Sequence, residues 1–131
     1  SEILPIDYHA GTELGALVFS TEYVDEHPDA VVAFTAAYLR AAAELEAGGW
    51  DDPANQEIIA RYTELPVETL TSLALTEQDP TGEIDWEDVH AQEQVFRDRG
   101  TLEYEGEADG ESSFRADLLE QARERAAELG S

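Results

Sequence analysis

Lysine, cysteine and methionine are all missing from this chain of 131 residues. Without cysteine there is no disulfide, no thiolate nucleophile and no thiolate-ligated metal, and the redox compartment leaves no mark on the sequence. Without lysine there is no phosphate-binding loop of the kind that ends in Lys-Ser/Thr. Methionine is absent at position 1 as elsewhere, so the chain reads as a processed or cut product. Two longer features are missing as well. No run of about 18 apolar residues exists to span a bilayer, and no basic-then-apolar leader opens the chain. A soluble protein is expected, and any export signal of its parent would lie upstream of Ser1.

What the sequence holds in abundance is carboxylate. Thirty-one Asp and Glu face seven Arg, for a formal charge of -24. In dilute buffer such a charge opposes compaction through self-repulsion. At about 1 M salt the Debye length falls to roughly 3 Å and the repulsion is screened. The composition therefore reads as adaptation to very salty water. It excludes nucleic acid as a partner, since binding a polyanion needs cationic side chains to displace its counterions. An anionic membrane surface is disfavoured for the same reason. Disorder, the competing reading of an acidic chain, requires few apolar residues, whereas 42% of this one is apolar and falls on helical faces.

The pattern predicts one mainly helical domain over residues 1–131 with one short N-terminal strand. Ala16-Leu17-Val18-Phe19, behind Gly11 and Gly15, reads as a buried strand. Its only extended companion in the chain is Thr101 to Tyr104, so a second copy, or a strand removed from the chain, is the alternative partner. Ser20 or Thr21 caps a short helix that His27-Pro28 ends. Pro28 then opens a long helix to about Ala47, with Val31, Phe34, Tyr38, Ala42 and Leu45 on its apolar face and Leu39 alongside. Asp52-Pro53 starts a helix to Tyr62 that turns Ile58, Ile59 and Tyr62 inward. Pro66 starts another, carrying Val67, Leu70, Leu73 and Ala74. Asp85 caps a helix whose buried stripe is marked by Val89 and Phe96 and which Gly100 ends, with Asp88 placed to complete a capping box. The closing helix runs from about Ser113 with Phe114, Leu118, Ala122, Ala126 and Leu129.

No catalytic constellation is legible. His9, His27 and His90 lack a second His at zinc-ligand spacing. His90 has Glu87 and Glu93 a turn away, but in a chain this acidic the coincidence carries little, and a solvated helix surface accounts for it. Ser112, Ser113 and Thr21 stand at helix starts, where capping explains a hydroxyl. A calcium loop is weighed over Glu77, Asp79, Thr81, Gly82, Ile84, Asp85 and Asp88, which occupy EF-hand positions 1, 3, 5, 6, 8, 9 and 12. Against it stand Glu77 where Asp belongs, Asp88 where the longer Glu reaches the ion, and Pro80 inside the loop. A glycine turn followed by a helix cap is the simpler reading, and no cofactor or metal is expected.

The stretch Gly15 to Val24, followed by His27-Pro28-Asp29-Ala30-Val31-Val32-Ala33-Phe34, resembles the C-terminal part of the solute-binding proteins of ABC importers for nitrate, sulfonate, taurine and thiamine-pyrimidine precursors. Tyr62 to Pro66, Asp79 to Gly82 with Gln92, Gln94 and Phe96, and Phe114 to Gly130 extend the likeness over most of the chain. The resemblance implies the helical C-terminal part of a periplasmic-binding-protein-like α/β fold. It implies a noncatalytic role, a parent protein at the extracellular face of the membrane, and as partners a small solute and the importer's membrane subunits. Those proteins bind their ligand between two lobes, and no residue here matches a ligand motif, so the ligand-binding residues stay unknown. A stand-alone helical module that self-associates through the Leu17 to Phe19 edge or an apolar helix face is the alternative, with a calcium-responsive domain behind it.

Overall fold

A computed structural model describes residues 15–72 and 77–130. These are mainly helical and contain no strand. They divide into two compact units, one made of residues 20–82 and 115–130, the other of residues 15–19 and 83–114. No described helix is long and apolar enough to cross a membrane.

The first unit begins at Ser20, whose Oγ accepts from the Tyr23 N–H at 3.2 Å and so caps helix α1, Thr21–Glu26. His27 ends α1 and stands at the cap position of α2, Pro28–Glu46. Pro28 forces this sharp junction: it pushes His27 out of the helical region while its own fixed φ suits a first helical position. Helix α2 buries Val31, Val32, Ala36, Leu39 and Ala42 and packs on α6, Ala116–Leu129, which buries Leu118 and Ala122. Three of these seven buried residues are alanine, small enough to let the two helices approach closely. The expected face of α2 is thereby rotated. Phe34 is 55% exposed, and Val32 and Ala36 take the inner positions.

A left-handed Gly48 leads into a 3₁₀ turn, Gly49–Asp51, and Asp52 then caps α3, Pro53–Thr63, by accepting from the Ala54 N–H at 2.8 Å. The side chains of the first turn of α3 brace this corner. Asn55 donates to the Glu44 carboxylate and the Gly49 carbonyl, each at 3.1 Å, and Gln56 donates to the Trp50 carbonyl at 2.9 Å. Ile58 and Tyr62, expected inside, are 55% and 79% exposed. A short helix α4, Val67–Leu70, follows; Leu73 and Ala74 lie outside the described residues.

The second unit is built on α5, Trp86–Asp98, capped by the Asp85 carboxylate accepting from the Asp88 N–H at 3.1 Å. Gly100 continues from it at φ +69°, a conformation open to glycine without Cβ strain. The expected strand at 16–19 is not formed. The run has irregular backbone, with Leu17 48% and Val18 87% exposed. A strand is held by its ladder, and no described segment pairs with this one; Thr101 to Tyr104 is irregular too. The closing helix starts at Ala116 rather than Ser113, because Glu111–Ser113 forms a 3₁₀ turn and Phe114 is extended.

Candidate functional site

The residues of the weighed calcium loop turn their oxygens to their own neighbourhood. Asp79 accepts from both the N–H and the hydroxyl of Thr81 at 2.8 Å. Asp85 is spent on capping α5, and the Asp88 carboxylate accepts from the Gln92 amide at 2.7 Å. The set is also split, with Glu77 to Gly82 in one unit and Glu83 to Asp88 in the other. Among the described residues no group of three or more His, Asp or Glu is arranged to hold a metal ion.

His27 is exposed beside Glu26 at 3.9 Å, with its ring 4.9 Å from that of Tyr23; His9 lies outside the described residues. Ser112 and Ser113 are members of the 3₁₀ turn and not helix caps. The Ser112 hydroxyl donates to the Asp109 carbonyl, while the Asp109 carboxylate accepts from the Ser112 N–H.

The densest polar arrangement joins Glu93, noted in the sequence only as a neighbour of His90, to Arg97, which was not singled out there. Glu93, on the inner face of α5, is the buried charged residue of the described chain, at 9% exposure. One turn on, the Arg97 guanidinium pairs with it at 2.6 Å. The two residues then grip the segment that follows α5. Arg97 donates to the Tyr104 carbonyl at 3.2 Å and to the Gly106 carbonyl, and its guanidinium carbon stands 5.5 Å from the centre of the Tyr104 ring. Glu93 accepts from the Ala108 N–H, at 3.1 and 3.2 Å to its two oxygens.

Desolvation pulls the Glu93 carboxyl upward. The Ala108 N–H, the Tyr104 hydroxyl and the Arg97 guanidinium together outweigh it and leave the pKa below the ordinary carboxylate value. The same burial, with a hydrogen bond to the charged Glu93, raises the Tyr104 phenol. Glu93 is thus held as an anion and Tyr104 as a neutral donor, the states that suit fixing the segment after α5.

His90 joins the edge of this cluster. Its Nδ1 is 3.7 Å from Glu93 and its Nε2 is 3.7 Å from Glu111. The spacing of His90 to Glu93, set aside in the sequence as chance, is therefore a real proximity, though the two nitrogens face different carboxylates and do not converge on one ion.

Beside Glu93 an apolar groove of about 330 Å³ is lined by Ile84, Val89, Phe96, Leu102 and the Tyr104 ring, with Gly15 and Ala16 at its margin. Its polar neighbours, Gln92 and Glu93, are engaged within the protein. The groove therefore offers shape and apolar surface. A signal for Glu93 was present in the sequence. Arg is scarce, and Arg97 stands four residues after a Glu on a capped helix, the better order for such a pair.

No family model, curated protein or solved structure matches the chain.

Proposed function

We propose that this chain is a noncatalytic, salt-adapted domain of an ABC importer's solute-binding protein, whose parent captures a small solute outside the cell and delivers it to the importer's membrane subunits. The observation that carries the reading is the junction at Pro28. The stretch resembling that family begins at Gly15; its part from Ser20 to Phe34 falls on a capped short helix, a turn before proline and the start of the long helix that packs on α6, while residues 15–19 are irregular. The Tyr62 to Pro66 stretch falls on the end of α3 and the start of α4, and the last stretch on α6. The excess of carboxylate over Arg supports a protein that works in molar salt.

On this reading the run Ala16 to Phe19, irregular here with Val18 exposed, stands where the family has a strand. The groove walls are apolar and their polar groups engaged, so this domain alone holds one side of a cleft at most. Calorimetric titration of the full gene product with nitrate and with taurine in molar NaCl tests the reading. Binding of one of them, with none by residues 1–131 alone, is expected. A gene product without a second lobe and without solute binding would overturn it.

A second reading, a stand-alone helical module that pairs with its own copy, is favoured by the exposure of Val18 and of Tyr62 at 79%. Light scattering in molar salt separates the two: a dimer supports the module and a monomer removes it.

A further inference from the structure

Residues 101–110 run as an irregular segment across α5, and three separate attachments hold them. At the near end the Thr101 N–H and hydroxyl both donate to the Phe96 carbonyl, at 3.1 and 2.9 Å. At the far end Gly110 lies on the Trp86 indole so closely that a Cβ there would meet the ring at 2.6 Å, and Phe114 packs edge-on against the same indole at 6.0 Å. Between these ends the side chains of Glu93 and Arg97 hold the segment to α5, acting on the backbone of Tyr104, Gly106 and Ala108, and the Tyr104 hydroxyl adds a hydrogen bond to Glu93.

Backbone held by side chains is held conditionally. A helix or sheet ladder spreads its loss over many bonds, whereas here one ion pair carries the middle of the segment. The same segment supplies Leu102 and Tyr104 to the groove, whose opposite wall, with Val89 and Phe96, belongs to α5 itself. One wall is therefore rigid and the other depends on the Glu93–Arg97 pair. Gly100 at φ +69° and Gly106 at φ +84° place a permissive backbone position at the start and in the middle of the movable part.

We propose that residues 101–110 are a latched strap. Glu93 and Arg97 are the latch, and its release lifts Leu102 and Tyr104 off the groove while both ends stay anchored. The latch sets access to the apolar groove without any change in α5. Glu93 and Arg97 act as positioning residues, through the backbone they hold.

Amide hydrogen exchange of the whole chain in molar NaCl, on the native protein and on Glu93→Gln and Arg97→Gln, tests this. Exchange at Ala108 is expected to speed up by about tenfold or more in both variants, as loss of a charge-assisted hydrogen bond implies. The Leu102 methyl shifts should move toward those of a free leucine, while Thr101, Phe114 and the amides of α5 keep their native rates. Unchanged exchange at Ala108 in both variants would overturn the latch. Equal acceleration at Thr101, Phe114 and along α5 would overturn the strap, because the unit would then open as a whole. Arg97→Lys, which keeps the charge but loses the forked donor, separates the two losses: partial restoration of Ala108 protection is expected, and full restoration would contradict the role of the Tyr104 and Gly106 contacts.

Discussion

A Cβ added to Gly82 would stand 2.9 Å from Cδ2 of Leu39, one of the buried side chains of α2. Gly82 also has φ +69°, and Leu119 of α6 would meet the same Cβ at 3.0 Å. The turn before the second unit is thus pressed onto the seam of the first. Arg123 of α6 fastens it by donating to the Thr81 carbonyl at 2.8 Å.

Gly82→Ala should therefore destabilise the first unit on two counts, the left-handed backbone and the overpacked seam, by about 1–3 kcal/mol in total. Chemical denaturation in molar NaCl measures this. Leu39→Ala in the same protein makes room for the Cβ and should make the two changes less than additive. Full additivity would mean that the side-chain contact contributes nothing.

The second prediction concerns acid. Glu93 has a folded pKa below its ordinary value, with Arg97 and His90 facing it from α5 and Tyr104 from the strap. A depressed carboxylate stabilises the fold above its unfolded pKa, about 4.3, and this contribution is lost as pH falls through the lower folded value. The thermal midpoint followed at the Trp86 indole should fall below about pH 4.3, and Glu93→Gln should remove part of that fall. Equal acid slopes in the two proteins would refute it. Asp117, drawn down to about 2 by its hydrogen bonds from Arg115, should add little, since that pair is half-exposed and molar salt screens it.

The third concerns salt. With a formal charge of -24, the melting temperature should climb steeply from about 0.1 M to about 1 M NaCl, as the Debye length shrinks from about 10 to about 3 Å, and then level. KCl should act like NaCl. A flat series would show that the carboxylates do not oppose folding.

The punctuation of the chain was legible, and its interior was much less so. Ser20, His27-Pro28, Asp52-Pro53, Asp85 and Gly100 stand at the ends of helices, as expected, because a cap or a proline acts through bonds to its nearest neighbours. Burial is decided by what packs from elsewhere. Periodicity finds an apolar stripe, but the partner helix chooses its rotation, so Ala36 and Ala122 are fully buried while Phe34 and Tyr62 are exposed and Phe96, expected in the buried stripe of α5, is half-exposed at the groove. Glu93 was hidden by abundance. Among thirty-one acidic residues its spacing to Arg97 was the one legible sign, and the backbone N–H of Ala108 that folds onto it was not legible at all.

The division of the chain has a kinetic consequence. The first unit is discontinuous: α2 comes early, its partner α6 comes late, and residues 83–114 lie between them. The α2–α3 corner braced by Asn55 and Gln56 closes over a few residues and can form as soon as it is synthesised. The Val31 to Ala42 stripe has to wait for the ribosome to deliver α6. Until then it is the exposed surface on which a chaperone, or a neighbouring nascent chain, would act.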